Sequence, residues 1–346
     1  MTKKFGNLKI VSFGGRAGFF AEKHFPRLTS KLYLRYIRLV SARGKRGYID
    51  RCLAEGSAPL MCVEVETINK CNGVCFFCPN NRRTDRRPTQ IMTEEVFCKI
   101  VSDLAARDYN GIFFFNGNNE PFLDKTLCDR IDYARGKLPL ARLEIFTNGT
   151  LLTDAILDRI AGKLDLLLIN NYGENYTLNE GSKRAIAHYR AHRERYGDME
   201  VIVKYRYVRQ LLTNRGGEAP NKKNSSRIYR SLCLVPFEES YIFADGVMGL
   251  CCNETRRLVE FGSVTENDVF DLFNSPRLQD IRRQLAQGRN HCEFCKYCDY
   301  ESRGQRGVVW IRKYADKIKN RRRNAGSPSG RSPRFLRSLY HEIVKS

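Results

Sequence analysis

Residues 69–81, NKCNGVCFFCPNN, carry thiols at Cys71, Cys75 and Cys78 and follow an alternating segment, 61–67 (MCVEVET). That segment reads as a strand, with Glu64 and Glu66 on one face and Val63 and Val65 on the other. Three closely spaced thiolates can hold a four-iron cube and leave one iron without a protein ligand. An open coordination position is what lets a metal site bind and activate a small molecule. A structural zinc site is the competing reading. Zinc, however, takes four closed ligands, usually as two spaced pairs, and only a triplet stands here.

Outward from the triplet, apolar or alternating runs at 61–67, 111–116, 142–147, 164–170 and 200–208 alternate with helical stretches at 93–107, 124–137, 153–163 and 182–196. Strand alternating with helix implies right-handed β-α-β units and a parallel sheet. The fold class expected is α/β: a partial (β/α) TIM-like barrel of five or six parallel strands, with a small Cys-rich C-terminal domain. Gly117-Asn118-Asn119-Glu120-Pro121 ends the second strand and Thr147-Asn148-Gly149 the third. Ligands gather at the C-terminal ends of such strands, so these segments and the thiols are expected on one face.

C-x-x-x-C-x-x-C after the first strand of such a pattern resembles the radical S-adenosylmethionine (SAM) superfamily. The resemblance implies a SAM-binding [4Fe–4S] cluster on Cys71, Cys75 and Cys78. It also implies reductive cleavage of SAM to a 5′-deoxyadenosyl radical, which abstracts a substrate hydrogen. Residues 117–121 resemble the family's GGEP motif, which contacts the SAM amino group, with Asn119 in place of a Gly. Asn tolerates the left-handed conformation better than most residues. Asn148 stands where the family often places a polar SAM contact.

Farther on, Cys233 precedes Gly246 by twelve intervening residues, Cys251 follows after four more, and HCEFCKYCDY brings Cys292, Cys295 and Cys298. This resembles the SPASM/Twitch extension of radical SAM enzymes. Six cysteines follow residue 230, and a full SPASM domain needs seven, so the resemblance implies one auxiliary [4Fe–4S] cluster. Its ligands would be Cys233, Cys251 and one C-x-x-C pair among Cys292, Cys295 and Cys298; a four-Cys zinc ribbon has compatible spacing. ESYIFADGVMGLCC reads as a hairpin turning at Asp245-Gly246, and a helix is expected over 276–287. Cys52, Cys62, Cys98 and Cys128 are assigned packing roles only.

The expected divisions are a basic helical extension (1–58), the partial barrel (59–230), the auxiliary-cluster domain (231–302) and a basic, partly flexible tail (303–346). Residues 209–230 read as a linker, although the loop Asn214-Arg215-Gly216-Gly217 resembles one that lies near the active site in SPASM enzymes. The formal net charge is +22, and residues 1–50 hold twelve Lys or Arg against Glu22 and Asp50. Leu32, Tyr36 and Leu39 recur at helical spacing among these charges. The stripe would pack on the next domain or lie on a membrane surface. No secretory signal and no run of 18 apolar residues is present, which points to a cytoplasmic protein with reduced thiols.

The function expected is oxidation (dehydrogenation) or epimerisation of a carbohydrate or cyclitol. Alternatives are a peptide-modifying (RiPP) enzyme and, given the basic termini, an RNA-modifying one. Epimerisation would need an unligated thiol, for which Cys252 or the spare member of Cys292, Cys295 and Cys298 is a candidate. On the last strand Lys204 and Arg206 share a face, and their pairing with Glu64 or Glu66 is expected. Expected partners are SAM, the sugar, cyclitol or peptide substrate, a reductase such as flavodoxin or ferredoxin, and an anionic membrane surface at the basic termini.

Overall fold

The computed structural model describes residues 2–11, 15–41, 45–222, 227–255 and 257–301. The chain opens with the hairpin β1 (Thr2–Phe5) and β2 (Leu8–Val11), then α1 (Gly15–His24), α2 (Pro26–Ser41) and α3 (Lys45–Ala54). Strand and helix then alternate. The order is β3 (Cys62–Val65), α4 (Glu94–Ala106), β4 (Ile112–Phe114), α5 (Leu127–Lys137), β5 (Arg142–Thr147), α6 (Asp154–Ile160), β6 (Leu166–Gly173), α7 (Glu180–Ala191), the short α8 (Arg193–Tyr196) and β7 (Glu200–Tyr207). The C-terminal part holds α9 (Val235–Glu238), β8 (Glu239–Ile242), β9 (Val247–Gly249), β10 (Glu260–Ser263), α10 (Val269–Phe273) and α11 (Pro276–Gln287).

The described strands form one open sheet in the order β1-β2-β7-β6-β5-β4-β3-β8-β9-β10. From β2 through β8 every neighbouring pair is parallel. β3 and β4 are buried along their whole length, as strands covered on both faces must be. α4 shows how the helices seat. Thr93 caps it by accepting from Val96 N, and Val96, Phe97, Ile100, Val101 and Leu104 recur at helical spacing on its buried face. Phe97 meets Phe113 and Phe115 of the sheet, each with ring centroids 6.2 Å apart.

All five expected strands are present, and the sheet is an incomplete barrel. Three differences have physical causes. The N-terminal segment is not only helical. β2 adds in parallel to β7, an edge that only a distant strand could cover, and the Lys9–Glu200 ion pair helps hold it. The hairpin at Asp245-Gly246 also joins the main sheet, because β8 pairs in parallel with β3. Residues 209–222 are not a slack linker. Asn214 Nδ2 donates to Tyr297 O and Asp299 Oδ1 accepts from Asn214 N, both at 2.6 Å.

Leu32 does not pack inward as the apolar stripe predicted; it is 58% exposed. The side chains of Tyr36 and Leu39, and the whole tail 303–346, lie outside the described residues. Among the described residues no helix is long and apolar enough to cross a membrane.

Candidate active site

β3 ends at Val65, and its following loop brings Cys71, Cys75 and Cys78 back over the C-terminal end of the sheet. Two backbone bonds fix the triplet: Cys78 N donates to Cys75 O at 3.1 Å, and Phe76 N to Val208 O, beyond β7, at 3.3 Å. The three thiols are partly exposed and face a cavity of about 410 Å³. Burial pushes the Cys71 and Cys75 thiols up to about 12. Burial there disfavours bare thiolates, and a multivalent metal centre is what would hold these groups deprotonated. Gly73 N donates to Cys71 Sγ at 3.3 Å, the kind of bond that tunes a bound sulfur. The donor set therefore fits an iron–sulfur cube with one open iron.

The segment 117–121 and Asn148 line the same cavity. Glu120 is 1% exposed, and its oxygens are committed: Oε1 accepts from Thr147 Oγ1 at 2.7 Å and Oε2 from Asn148 N at 2.8 Å. Its carboxyl clamps two loops together, and burial pushes it up to about 7. Asn119 does not take the left-handed conformation expected of a Gly replacement. Its Oδ1 accepts from Gly117 N at 2.9 Å and tightens the turn instead. Gly117 has a separate reason to be glycine: a Cβ there would lie 2.3 Å from the Tyr241 hydroxyl. The loop 147–149 is fixed from the other side by α7. Asn179 Nδ2 donates to Asn148 O, and a Cβ at Gly181 would stand 1.8 Å from Gly149 O.

A second chamber of about 280 Å³ shares Asn116, Gly117, Phe146 and Arg215 with the first and extends into the barrel. Its other lining groups include Glu64, Thr213, Cys252 and Ser30 of α2. Arg215 holds a positive φ of 50° and donates from Nη1 to Asn118 Oδ1 at 3.2 Å. Its guanidinium interacts with Cys78, Cys252, Tyr172 and Glu64, so it stands between the two chambers. Tyr241 donates to Glu66 Oε1 at 3.2 Å and accepts from Asn118 N at 3.1 Å, while Asn118 Nδ2 donates to Cys252 O at 2.7 Å. The Cys252 thiol is raised well above its ordinary range by burial and by the neighbouring Glu64 carboxylate.

Neither Lys204 nor Arg206 is among the residues lining these chambers, although the Arg206 guanidinium interacts with Cys75 and Tyr172 of the first. Nor is Glu66 paired to a base from β7. It bonds Tyr241 and lies near Arg87, while Arg206 lies over the Tyr172 ring, 5.9 Å from its centroid, and beside Glu22. Three strands, β6, β5 and β4, separate β7 from β3 in the sheet. Sequence reasoning missed Tyr241 and Ser30. The polar Tyr241 within an apolar strand was a signal for the first, and no local signal marks the second.

The C-terminal thiols form a closed group. Cys233 stands before α9, Cys251 after β9, and Cys292, Cys295 and Cys298 on two successive tight turns after α11. Cys251 and Cys298 interact, each also interacts with Cys233, and Cys295 interacts with both Cys233 and Cys251. Cys251, Cys295 and Cys298 line one small cavity, whereas Cys292 does not reach it and bonds Cys295. The buried Arg289 guanidinium lies beside Cys233 and Cys298, and it would favour a net-anionic cluster there. Four thiols converging from three segments fit a fully ligated cube. Cys251 and Cys252 are adjacent, so this group backs directly onto the inner chamber.

Comparison with known proteins agrees with this arrangement. Residues 65–170 match the family model of the radical SAM superfamily, and residues 233–299 that of the iron–sulfur cluster-binding SPASM domain. The S-adenosyl-L-methionine-dependent 2-deoxy-scyllo-inosamine dehydrogenase of Niallia circulans is 25% identical over 240 residues, which cover 68% of this chain and 92% of that protein. The crystal structure of BtrN in complex with AdoMet and 2-DOIA matches with a TM-score of 0.60 and 22% identity, covering 72% of this chain and 98% of that one. An open conformation of BtrN gives a TM-score of 0.51 at 19% identity, over 70% of this chain and 93% of that one. Both structural likenesses are of fold.

Proposed function

The chain belongs to the radical SAM superfamily and carries a SPASM domain, and from that premise we propose that it dehydrogenates one carbinol of a hydroxylated ring, a carbohydrate or cyclitol. It is a radical SAM oxidoreductase that uses a SAM-binding [4Fe–4S] cluster, an auxiliary [4Fe–4S] cluster and SAM. Bound there, these groups supply a 5′-deoxyadenosyl radical for hydrogen abstraction and an acceptor for the remaining electron.

In this reading Cys71, Cys75 and Cys78 hold the first cluster, and Cys233, Cys251, Cys295 and Cys298 the second. The segment 117–121 and Asn148 shape the SAM chamber, with Glu120 locking its two loops. The part 59–230 carries the SAM chemistry and 231–302 the auxiliary cluster. The observation that carries the substrate class is the inner chamber. At about 280 Å³ it suits a single ring. Its wall offers Glu64 as an acceptor and Arg215 as a donor, with Asn116 and Thr213 able to do either. Such groups match ring hydroxyls, and Phe146 gives the ring an apolar face. The named substrate of the Niallia circulans relative, 2-deoxy-scyllo-inosamine, is of that class.

A second reading is favoured by Cys252, whose residue lines the inner chamber. A thiol there could return a hydrogen to the opposite face of the ring, giving epimerisation. An external one-electron donor such as flavodoxin or ferredoxin would serve either outcome. All thirteen cysteines lack disulfides, which suits a reducing compartment such as the cytoplasm. The test is anaerobic incubation with SAM, reductant and 2-deoxy-scyllo-inosamine or related ring polyols. Dehydrogenation predicts a ketone and 5′-deoxyadenosine in equal amounts. A product isomeric with the substrate that gains one deuterium at carbon when the reaction is run in deuterated water would establish epimerisation instead. Turnover of peptides alone would overturn the ring assignment.

A further inference from the structure

We propose that the outer face of α1 and α2 docks the enzyme on an anionic lipid bilayer. Four of the nine large apolar side chains exposed among the described residues fall within one short stretch: Phe20, Phe25, Leu28 and Leu32, each 57–58% exposed. Leu28 and Leu32 share one row on α2, and Phe25, just ahead of the helix with its carbonyl accepting from Thr29 N, extends that row at helical spacing. Beside that row runs a second one, the exposed Arg27, Lys31 and Arg35. No acidic residue occurs between Lys23 and Gly47 to neutralise them.

The opposite face of α2 is already committed to the barrel. Ser30 is 8% exposed, accepts from Lys222 Nζ at 3.4 Å and lines the inner chamber. The outer apolar row is therefore not left over from core packing, and contiguous exposed apolar surface of this kind marks an interaction site.

The charge decides the occupant. A second copy of this chain carries the same +22 and the same basic row, and the chain's own segment 303–346 holds thirteen Lys or Arg against Asp316 and Glu342. Both would be repelled. Nucleic acid matches the charge but has no apolar bed for leucines. An anionic bilayer offers both, with acyl chains for the apolar row and headgroups for lysine and arginine tips that extend along it. This inference is independent of the substrate assignment.

The test is co-sedimentation of the full-length, cluster-loaded protein with vesicles of phosphatidylcholine, with and without phosphatidylglycerol. Binding is expected only with phosphatidylglycerol. Leu28→Ser with Leu32→Ser should weaken it by about tenfold or more, from lost apolar burial. Lys31→Glu with Arg35→Glu should weaken it and flatten its salt dependence. Truncation before Arg312 should leave the leucine-dependent part in place. Should the double leucine variant lose its clusters, Phe25→Ser, between the two helices, tests the same face. Wild-type binding by the leucine variant would overturn the proposal, because the charges alone would then suffice. So would a leucine-dependent dimer without lipid, or leucine-dependent binding to RNA.

Discussion

The two thiol groups of this chain differ in the way that decides what each can do. Cys71, Cys75 and Cys78 are partly exposed on one loop and open onto a cavity of about 410 Å³. Cys233, Cys295 and Cys298 are buried and interact with one another or with Cys251 across three separate segments, and the cavity that Cys251, Cys295 and Cys298 help line is only about 50 Å³. A site with three ligands and space binds a co-substrate. A site with four ligands and no space can only exchange electrons. The inner chamber lies between them, with Arg215 toward the first and Cys252 toward the second.

The largest effect should come from breaking the open site. Reconstituted protein should hold about eight iron and eight sulfide. Cys75→Ala should drop 5′-deoxyadenosine formation with dithionite and SAM to background. Continued formation in that variant would mean that the thiols of the loop do not hold the SAM-binding cluster.

The closed site can be dissected next. Cys298→Ala should lose about four iron, because Cys298 faces Cys251 and Cys233. Cys292→Ala should keep a near-complete complement, because Cys292 bonds Cys295 and does not line the cavity that Cys251, Cys295 and Cys298 share. Iron analysis and the cluster's absorbance decide this, and the reverse pattern would assign the Cys292–Cys295 pair.

The sequence made the triplet, the five central strands and the helix at 276–287 legible, because each rests on local spacing. What it hid depended on pairing across the chain. β2 against β7 and β8 against β3 join segments far apart in sequence, and no periodicity within either partner announces them. Glu66 bonds Tyr241 rather than a base of β7 for a related reason. Alternation along a strand tells which residues share a face but not how far apart two strands lie in the sheet. Arg215 was visible only as part of a glycine-flanked loop. Its place between the chambers follows from bonds that Asn214 and Arg215 make to distant residues.

A smaller effect tests how tightly the two regions are joined. Gly117, which lines both chambers, packs under Tyr241 of β8, and a Cβ there would stand 2.3 Å from the hydroxyl. Gly117→Ala should destabilise the protein by about 1–3 kcal/mol in chemical denaturation and raise the KM for SAM. An unchanged midpoint would mean that the junction is slack.

The smallest effect is a pH dependence at the same junction. Burial pushes Glu66 up to about 7 from its ordinary value of 4.5. Between those values the folded chain holds a proton that the unfolded chain has released. Stability should therefore fall as pH rises through that window, by on the order of 1–3 kcal/mol for this group. Glu66→Gln should remove about half of the slope between pH 5 and pH 7, roughly Glu66's share of it. Glu120, also held up to about 7, and Glu22, likewise raised by burial, keep the rest. An unaltered slope would show that Glu66 titrates normally.

The contrast between an open and a closed site is tested most directly by electron paramagnetic resonance of the reduced protein with and without SAM, in wild type and in the variant with Cys71, Cys75 and Cys78 all changed to Ala. In wild type SAM should perturb one of two cluster signals. The triple variant should retain a single [4Fe–4S] signal that SAM leaves unmoved. A residual signal that shifts with SAM, or zinc where the remaining iron should be, would contradict the account.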